Sequence, residues 1–323
     1  MSIDDHRTVL LDALGRATAE CWAANCYWLV DPALVDPILT GLAPWAEARQ
    51  EVIRVSSPDI SKRLSPYLLT GPAPGKHRDE FVHAGATHAL DECCIDVGAS
   101  AVRPRSICLL LMTSLSGPRL ASAISRSSLV ITSDGRQRIF RFWDPRVLPS
   151  IAMHNAYRCF LPEDVDGMCW AIDAFGRLQQ FDMTVWSSEK SASSAGPRLT
   201  DAQTTWLIRL GEGNRVIEHL EWQQRFDVGE EGMARILDAV ATGEALGLTR
   251  VDDRIAFAAR RISSRAPIER SAAIQRLIAV TLEAGLPYAA LQKEIPSEDW
   301  PGIEAEALRN AVAERQIIGE HVT

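Results

Sequence analysis

Arg138-Ile139-Phe140-Arg141-Phe142-Trp143-Asp144-Pro145-Arg146-Val147-Leu148 is the densest local signal in the chain. Ile139, Phe140, Phe142 and Trp143 are β-branched or aromatic, types that suit a pleated, half-buried surface, and the preceding Asp134-Gly135 is a hairpin-turn pair. The stretch therefore reads as a strand paired with Leu129-Val130-Ile131-Thr132. Asp144-Pro145 ends it: the carboxylate can cap the free N–H groups of a helix start, and Pro is tolerated at the first helical position, where its missing N–H would be unpaired anyway. Val147 and Leu148 then face the core from a short turn. The same device stands upstream in Tyr27-Trp28-Leu29-Val30-Asp31-Pro32-Ala33-Leu34-Val35, an apolar strand closed by Asp-Pro and followed by a helix. The two strands are expected in one sheet. Nothing near Arg141, Asp144 or Arg146 supplies a nucleophile or base, so they read as a capped strand end with charge pairing.

These two stretches, in this order and spacing, resemble the type VI secretion effector chaperone, or adaptor, family, a domain long labelled only as of unknown function. In that family an aromatic-Arg-aromatic-aromatic-Asp-Pro-Arg-Val-Leu strand follows an Asp-Gly hairpin, as it does here. The resemblance covers residues 25–180 and the helical remainder in general character. The chain departs from the family at Ile124-Ser125-Arg126, where members often carry His-Leu-Arg. The resemblance implies a protein that binds a cognate toxic effector in the cytoplasm and promotes its loading onto the VgrG spike, with the spike as a possible second partner. It makes Tyr27, Asp31, Pro32, Arg141, Phe142, Trp143, Asp144, Pro145 and Arg146 structural or partner-binding residues, and it calls for no active site, cofactor or metal.

The 323 residues, 46% of them hydrophobic, can build one large or two modest cores. A net charge of -8 and a pI near 5.5 argue against a nucleic-acid binder. Ile107-Cys108-Leu109-Leu110-Leu111-Met112 is far shorter than the roughly 18–20 residues a membrane helix requires and reads as a buried strand. The N-terminus, Met1-Ser2-Ile3-Asp4-Asp5, is acidic where a signal peptide is basic, so the protein is expected in the cytoplasm. Seven scattered cysteines, Cys21, Cys26, Cys93, Cys94, Cys108, Cys159 and Cys169, lack any Cys-x-x-Cys pair and read as buried thiols.

Along the chain, residues 8–24 carry a helical stripe at Val9, Leu10, Ala13, Leu14, Ala17 and Cys21. A helix over 32–42, strands at 52–55 and 67–69, and a helix over 79–90 follow. Gly71-Pro72-Ala73-Pro74-Gly75-Lys76 fails as a phosphate loop: three residues rather than four separate the glycines, His77 follows the lysine, and two prolines remove N–H donors. His77, His83, His88, Asp91 and Glu92 are the one place a metal site could be argued. However, His83 and His88 project about 140° apart on a helix, and a polar helix face is the better reading. A helix from Gly117-Pro118 to Leu129 precedes the hairpin, and strands over 167–173 and 177–183 close the region.

Ser187 to Pro197 is rich in small residues and reads as a linker. Ser187 and Lys190 match a Ser-x-x-Lys spacing without the partner motifs that acylation chemistry needs. Beyond it, Thr200-Asp201-Ala202-Gln203 is a capping box, Gly211-Glu212-Gly213 is expected to interrupt the first helix, and further helices are expected over 214–226, 229–246, 252–262, 267–284, 287–295 and 301–317. The fold expected is an α/β (α+β) N-terminal lobe over 1–185 with a mixed sheet flanked by helices, a linker over 186–197, and an all-α lobe over 198–323. Trp206, Trp222 and Trp300 are candidate partner-binding anchors, with core filling as the alternative for each. The competing functions are a hydrolase with a site around His83 or His88, and an immunity protein that blocks a toxin.

Overall fold

A computed structural model describes residues 3–21, 25–32, 50–52, 65–94, 105–153, 157, 160–188, 198–220, 224, 228 and 232–320. The run expected as a buried strand is one: β4 (Ile107–Thr113) is buried at every position, because the sheet is covered on both faces there. It pairs with the first Asp-Pro strand, β1 (Asn25–Val30), whose other edge pairs with β3 (Tyr67–Thr70). With β2 (Gln50–Val52), β7 (Met168–Ile172) and β8 (Leu178–Asp182) the order across the sheet is β2-β3-β1-β4-β7-β8. Every described pairing in it is antiparallel, where the sequence reading expects a mixed sheet. β3 and β4 do run in the same direction and are joined through helix α2 (Lys76–Cys94), but β1 lies between them. The β-α-β crossover is present, and its two strands are not neighbours.

Residues opposite one another in a ladder share a face. Trp28 stands beside Leu69 and Leu110, and Leu110 beside Trp170. Helix α2 packs on that face: its buried positions Arg78, Phe81, Val82, Ala86, Ala89, Leu90 and Cys93 recur at helical spacing, and the Trp28 indole N–H donates to the Phe81 carbonyl at 3.2 Å. A Cβ on Gly85 would lie 2.4 Å from that indole, so a side chain there and the tryptophan compete for one space. Helix α1 (Ile3–Ala19) starts earlier than its apolar stripe suggests and buries His6, Leu10, Leu14 and Thr18 while leaving Val9 58% exposed. Two polar residues on the buried face have partners: His6 Nε2 meets the Gly176 carbonyl at 2.6 Å, and the Thr18 hydroxyl donates to Leu14 O of its own helix at 2.9 Å.

Helix α3 (Gly117–Ser127) leads into β5 (Leu129–Ile131), which pairs with β6 (Gln137–Ile139) as a separate two-stranded sheet. The Asp134-Gly135 turn is as expected, with Gly135 at φ 79° and the Arg136 N–H donating to the Asp134 carboxylate at 3.2 Å. The strand does not continue to Trp143, and the two Asp-Pro stretches are not in one sheet. Phe140 N–H makes one more bond, to Ser128 O at 2.7 Å, and the chain then turns, Asp144 N–H donating to Arg141 O at 3.0 Å. Phe142 and Trp143 are both 1% exposed. Consecutive side chains of a strand point to opposite faces, whereas the turn lets both enter the core before helix α4 (Leu148–Met153). The first copy's helix after Pro32, and the linker from 189 to 197, lie outside the described residues.

By internal packing the chain forms two units, 1–205 and 206–323, and the boundary falls in helix α5 (Asp201–His219). The capping box is formed, Thr200 N–H meeting the Gln203 side-chain oxygen at 2.9 Å and Gln203 N–H the Thr200 hydroxyl at 3.2 Å. Gly211-Glu212-Gly213 does not interrupt the helix. An added Cβ on Gly213 would lie 3.3 Å from Ile236, Leu237 and Met233, so this glycine admits helix α6 (Gly232–Ala245), and Glu212 is buried in an ion pair with Arg254. Helix α7 (Val251–Ser264) follows. The helix expected over 267–284 is split: Ile268–Arg270 is a single 3-10 turn, and α8 (Ala272–Ala284) starts at Ser271, whose hydroxyl accepts from Ile274 N–H, and stops at Gly285 as expected. Helices α9 (Tyr288–Lys293) and α10 (Trp300–Glu320) complete the unit. Its core gathers Leu248, Phe257, Ile268, Ile274, Ile278, Tyr288, Trp300 and Ile303.

Candidate functional site

The two Asp-Pro stretches, separate in their sheets, meet through side chains. Asp31 ends β1 with its own N–H donating to Ser106 O at 2.8 Å. One of its carboxylate oxygens, Oδ2, accepts the Trp143 indole N–H at 2.8 Å and faces the Arg141 guanidinium at 2.7 Å. The Asp31 side chain is 2% exposed and that of Arg141 35%, so the pair runs from the interior toward the surface. A buried carboxylate is tolerated when a cation and hydrogen-bond donors replace its water, and Asp31 has both. Phe142 stacks edge-on against Trp143 with ring centroids 5.2 Å apart, which orients the indole.

Asp144 sits in the turn beyond. Arg146 grips it twice, Nε to Oδ1 at 2.9 Å and Nη2 to Oδ2 at 2.7 Å, and the Arg146 backbone N–H adds a third bond at 3.0 Å. The Asp144 carbonyl accepts from Val147 and Leu148, so the residue opens the α4 turn while its carboxylate is held by the arginine. Burial works to raise the Asp144 pKa, yet the Arg146 charge and hydrogen bonds, with Arg141 beyond them, hold it below the ordinary carboxylate value. Cys108 on β4 lies in the field of these groups: burial first, then Asp31 and Asp144, push its thiol well above the usual range against the pull of Arg141. It is thus a protonated core residue, not a thiolate nucleophile.

Glu92 completes this end of the sheet. Its carboxylate accepts the Ser106 N–H at 3.0 Å and the Ile107 N–H at 3.3 Å, takes the Ser106 hydroxyl, and meets His88 Nε2 at 3.4 Å. His83 is engaged separately, its Nδ1 with Asp79 O at 2.7 Å. Among the described residues no group of three or more His, Cys, Asp or Glu is placed to hold a metal ion.

Of the motif residues, Asp31, Arg141 and Trp143 are brought into direct contact, with Phe142 packed behind them, and Asp144 pairs with Arg146. Pro32 and Pro145 are at the two turns. Tyr27 stands apart, its hydroxyl donating to Leu115 O at 3.1 Å. Trp300 is 8% exposed within the helical core, with the Arg260 guanidinium 3.7 Å over its ring; it is a core residue and is withdrawn as an anchor. Trp206 is half-buried, and Trp222 lies outside the described residues. The Glu92–Ser106 tie and Cys108 were missed as parts of this cluster. The only sequence signal was the acid at Glu92 one helix ahead of a wholly apolar strand.

This geometry defines an antiparallel α+β unit whose two Asp-Pro turns are tied by a buried ion-paired and hydrogen-bonded knot, followed by a helical unit. Residues 26–156, less than half of the chain, match the family model described as a domain of unknown function (DUF4123), a family associated with effector adaptors of the type VI secretion system. That segment holds both turns. No curated protein and no solved structure matches the chain. No helix of the described residues is long and apolar enough to cross a membrane.

Proposed function

We propose that this protein is an effector adaptor of type VI secretion: in the cytoplasm it binds one cognate toxic effector and promotes its loading onto the VgrG spike, without catalysis and without a cofactor. The observation that carries the reading is the family match over 26–156, coincident with the Asp31–Arg141–Trp143 knot. The chemistry of the knot supports it. Its carboxylates are occupied by donors and the nearby thiol is held protonated, which suits a scaffold better than a reacting centre. Under this reading Asp31, Arg141 and Trp143 shape the surface that a partner meets.

The test is co-expression of the full chain with a candidate effector and a VgrG spike from the same genome, followed by affinity purification of each in turn. A stable complex with the effector, and loss of effector delivery when the adaptor gene is deleted, are expected. Unchanged effector level, secretion and delivery in the deletion strain sink the proposal. Neutralisation of the toxin's activity without any effect on delivery would point to an immunity protein.

A further inference from the structure

We propose that the outer edge of β6 takes an extended, acidic segment of a protein partner as an added strand. In an antiparallel pair, alternate residues of each strand point their N–H and C=O groups at the neighbour, and the residues between them point away. Thr132 N–H donates to Arg136 O at 2.9 Å and Phe140 N–H to Ser128 O at 2.7 Å, so Arg136, Arg138 and Phe140 face β5 with their backbone groups. Those of Gln137 and Ile139 therefore face away from it, and no described residue bonds to them. The far edge of β5 is closed, since Leu199 N–H donates to Ile131 O at 2.8 Å beside the Ile131–Arg198 bridge. The open edge of the hairpin belongs to its more exposed strand.

Charge carries the second, independent observation. Residues 97–143 hold seven arginines and a single acid, Asp134, in a chain of net charge -8. Arg136 and Arg138 stand two positions apart in the hairpin, so they share a face, and both are exposed. Asp134 meets Arg136 at 3.3 Å in an open ion pair and lies in the field of Arg138, while its carboxylate also accepts the Thr132 hydroxyl and the Arg136 N–H of its own turn. One carboxylate tied into the turn leaves the two guanidinium groups beside the edge with a net positive charge.

Charged side chains along an edge discourage pairing with a second copy, because like charges directly opposite each other destabilise a ladder. The same side chains admit a strand that sets Asp or Glu across from them. Two acidic residues two positions apart meet Arg136 and Arg138 on one face, and a β-branched residue next to them lies beside the half-buried Ile139 on the other. A polynucleotide fits less well, because it has no peptide N–H and C=O groups to offer Gln137 and Ile139. The edge is also held in place before a partner arrives: Phe140 is buried, and Arg141 and Trp143 just beyond it are tied to Asp31.

Assigning that segment to the effector or the spike rests on the adaptor reading, whereas the edge can be tested without it. A fluorescein-labelled Val-Glu-Thr-Glu-Val peptide is titrated into the full chain and followed by anisotropy, with Val-Lys-Thr-Lys-Val and a single-stranded oligonucleotide as comparators. Saturable binding of the acidic peptide is expected, weakening as salt rises. The Arg136→Glu, Arg138→Glu double variant should weaken it by at least about tenfold with an unchanged melting temperature, and should bind the lysine peptide instead. Methylating the peptide's backbone nitrogens separates strand addition from a charged patch. Only alternate N–H groups of an added strand face β6, so methylation at the threonine and methylation at the two glutamates should differ, one abolishing binding and the other sparing it. Equal binding by the double variant, no gain of the lysine peptide, equal effects of the two methylations, equal binding of the oligonucleotide, or no saturable binding overturns the proposal. Peptide binding by a chain with which no effector co-purifies supports the edge and removes the adaptor reading alone. An effector complex unaffected by the double variant overturns the edge as the effector's dock.

Discussion

The Trp143 indole N–H donates to Asp31 Oδ2 at 2.8 Å across 112 residues of chain, and Arg141 reaches the same oxygen at 2.7 Å. One carboxylate at the end of a central strand thereby fixes the turn that follows the hairpin, so the two Asp-Pro stretches form one structural device.

Asp31→Ala removes the common acceptor and leaves a guanidinium and an indole N–H without it. Breaking a buried pair from one side costs about 3–5 kcal/mol, and the partial exposure of Arg141 places this case at about 2–3 kcal/mol. Trp143→Phe removes the donor and part of a buried ring but leaves Asp31 paired with Arg141, at about 1–2 kcal/mol. Urea unfolding of both variants should rank them in that order. Equal stability of Asp31→Ala and the parent would show that the knot does not hold the turn.

Asp144 gives the acid limb a direction. Its folded pKa lies below the ordinary value near 4, so its contribution to stability is present above that value and is lost as pH falls through the lower, folded one. Asp173 opposes it: burial raises its pKa against the hydrogen bonds it accepts from Phe175, Arg177 and Gln179, so protonation on acidification relieves a cost. Asp144→Asn should therefore flatten the loss of stability between neutral and strongly acid pH. A variant whose acid limb is as steep as the parent's contradicts the assignment.

Gly85 and Trp300 test the two cores separately. Gly85→Ala sets a methyl 2.4 Å from the Trp28 indole and should cost about 1–3 kcal/mol by overpacking. Trp300→Ala empties the helical core beneath Arg260 and should cost about 3–5 kcal/mol in that unit. Calorimetry should show the first loss in the unit of residues 1–205 and the second in that of 206–323. A Trp300→Ala protein of parental stability would return that tryptophan to the surface.

Local chemistry was the legible part of this chain. The Asp134-Gly135 turn, the Thr200–Gln203 box, the Gly285 stop and the buried Ile107–Thr113 strand each follow from a few adjacent residues, and each is found. What was hidden depends on residues distant in sequence. Phe140 to Trp143 has strand composition, but Asp31 and the core take Trp143 from a turn. Gly211-Glu212-Gly213 looks like a break until Met233 and Ile236 close on Gly213 and Arg254 on Glu212.

Under the adaptor proposal, a role of the knot in partner binding can be separated from its role in folding by temperature. If Asp31, Arg141 and Trp143 act only by holding the turn, Asp31→Asn should bind the effector like the parent in the cold, where both are folded, and lose binding on warming in step with its unfolded fraction. The partly exposed Arg141 head is the one member that a partner can touch directly, so Arg141→Lys is the informative companion. Lysine preserves the charge toward Asp31 and loses the planar fork. Titration calorimetry on both variants, with circular dichroism at each temperature, reads the two quantities together. Binding lost by Arg141→Lys at a temperature where the protein is fully folded would make the knot's outer end a contact surface. Binding that follows the folded fraction in both variants would confine the knot to the scaffold and leave recognition to other surfaces.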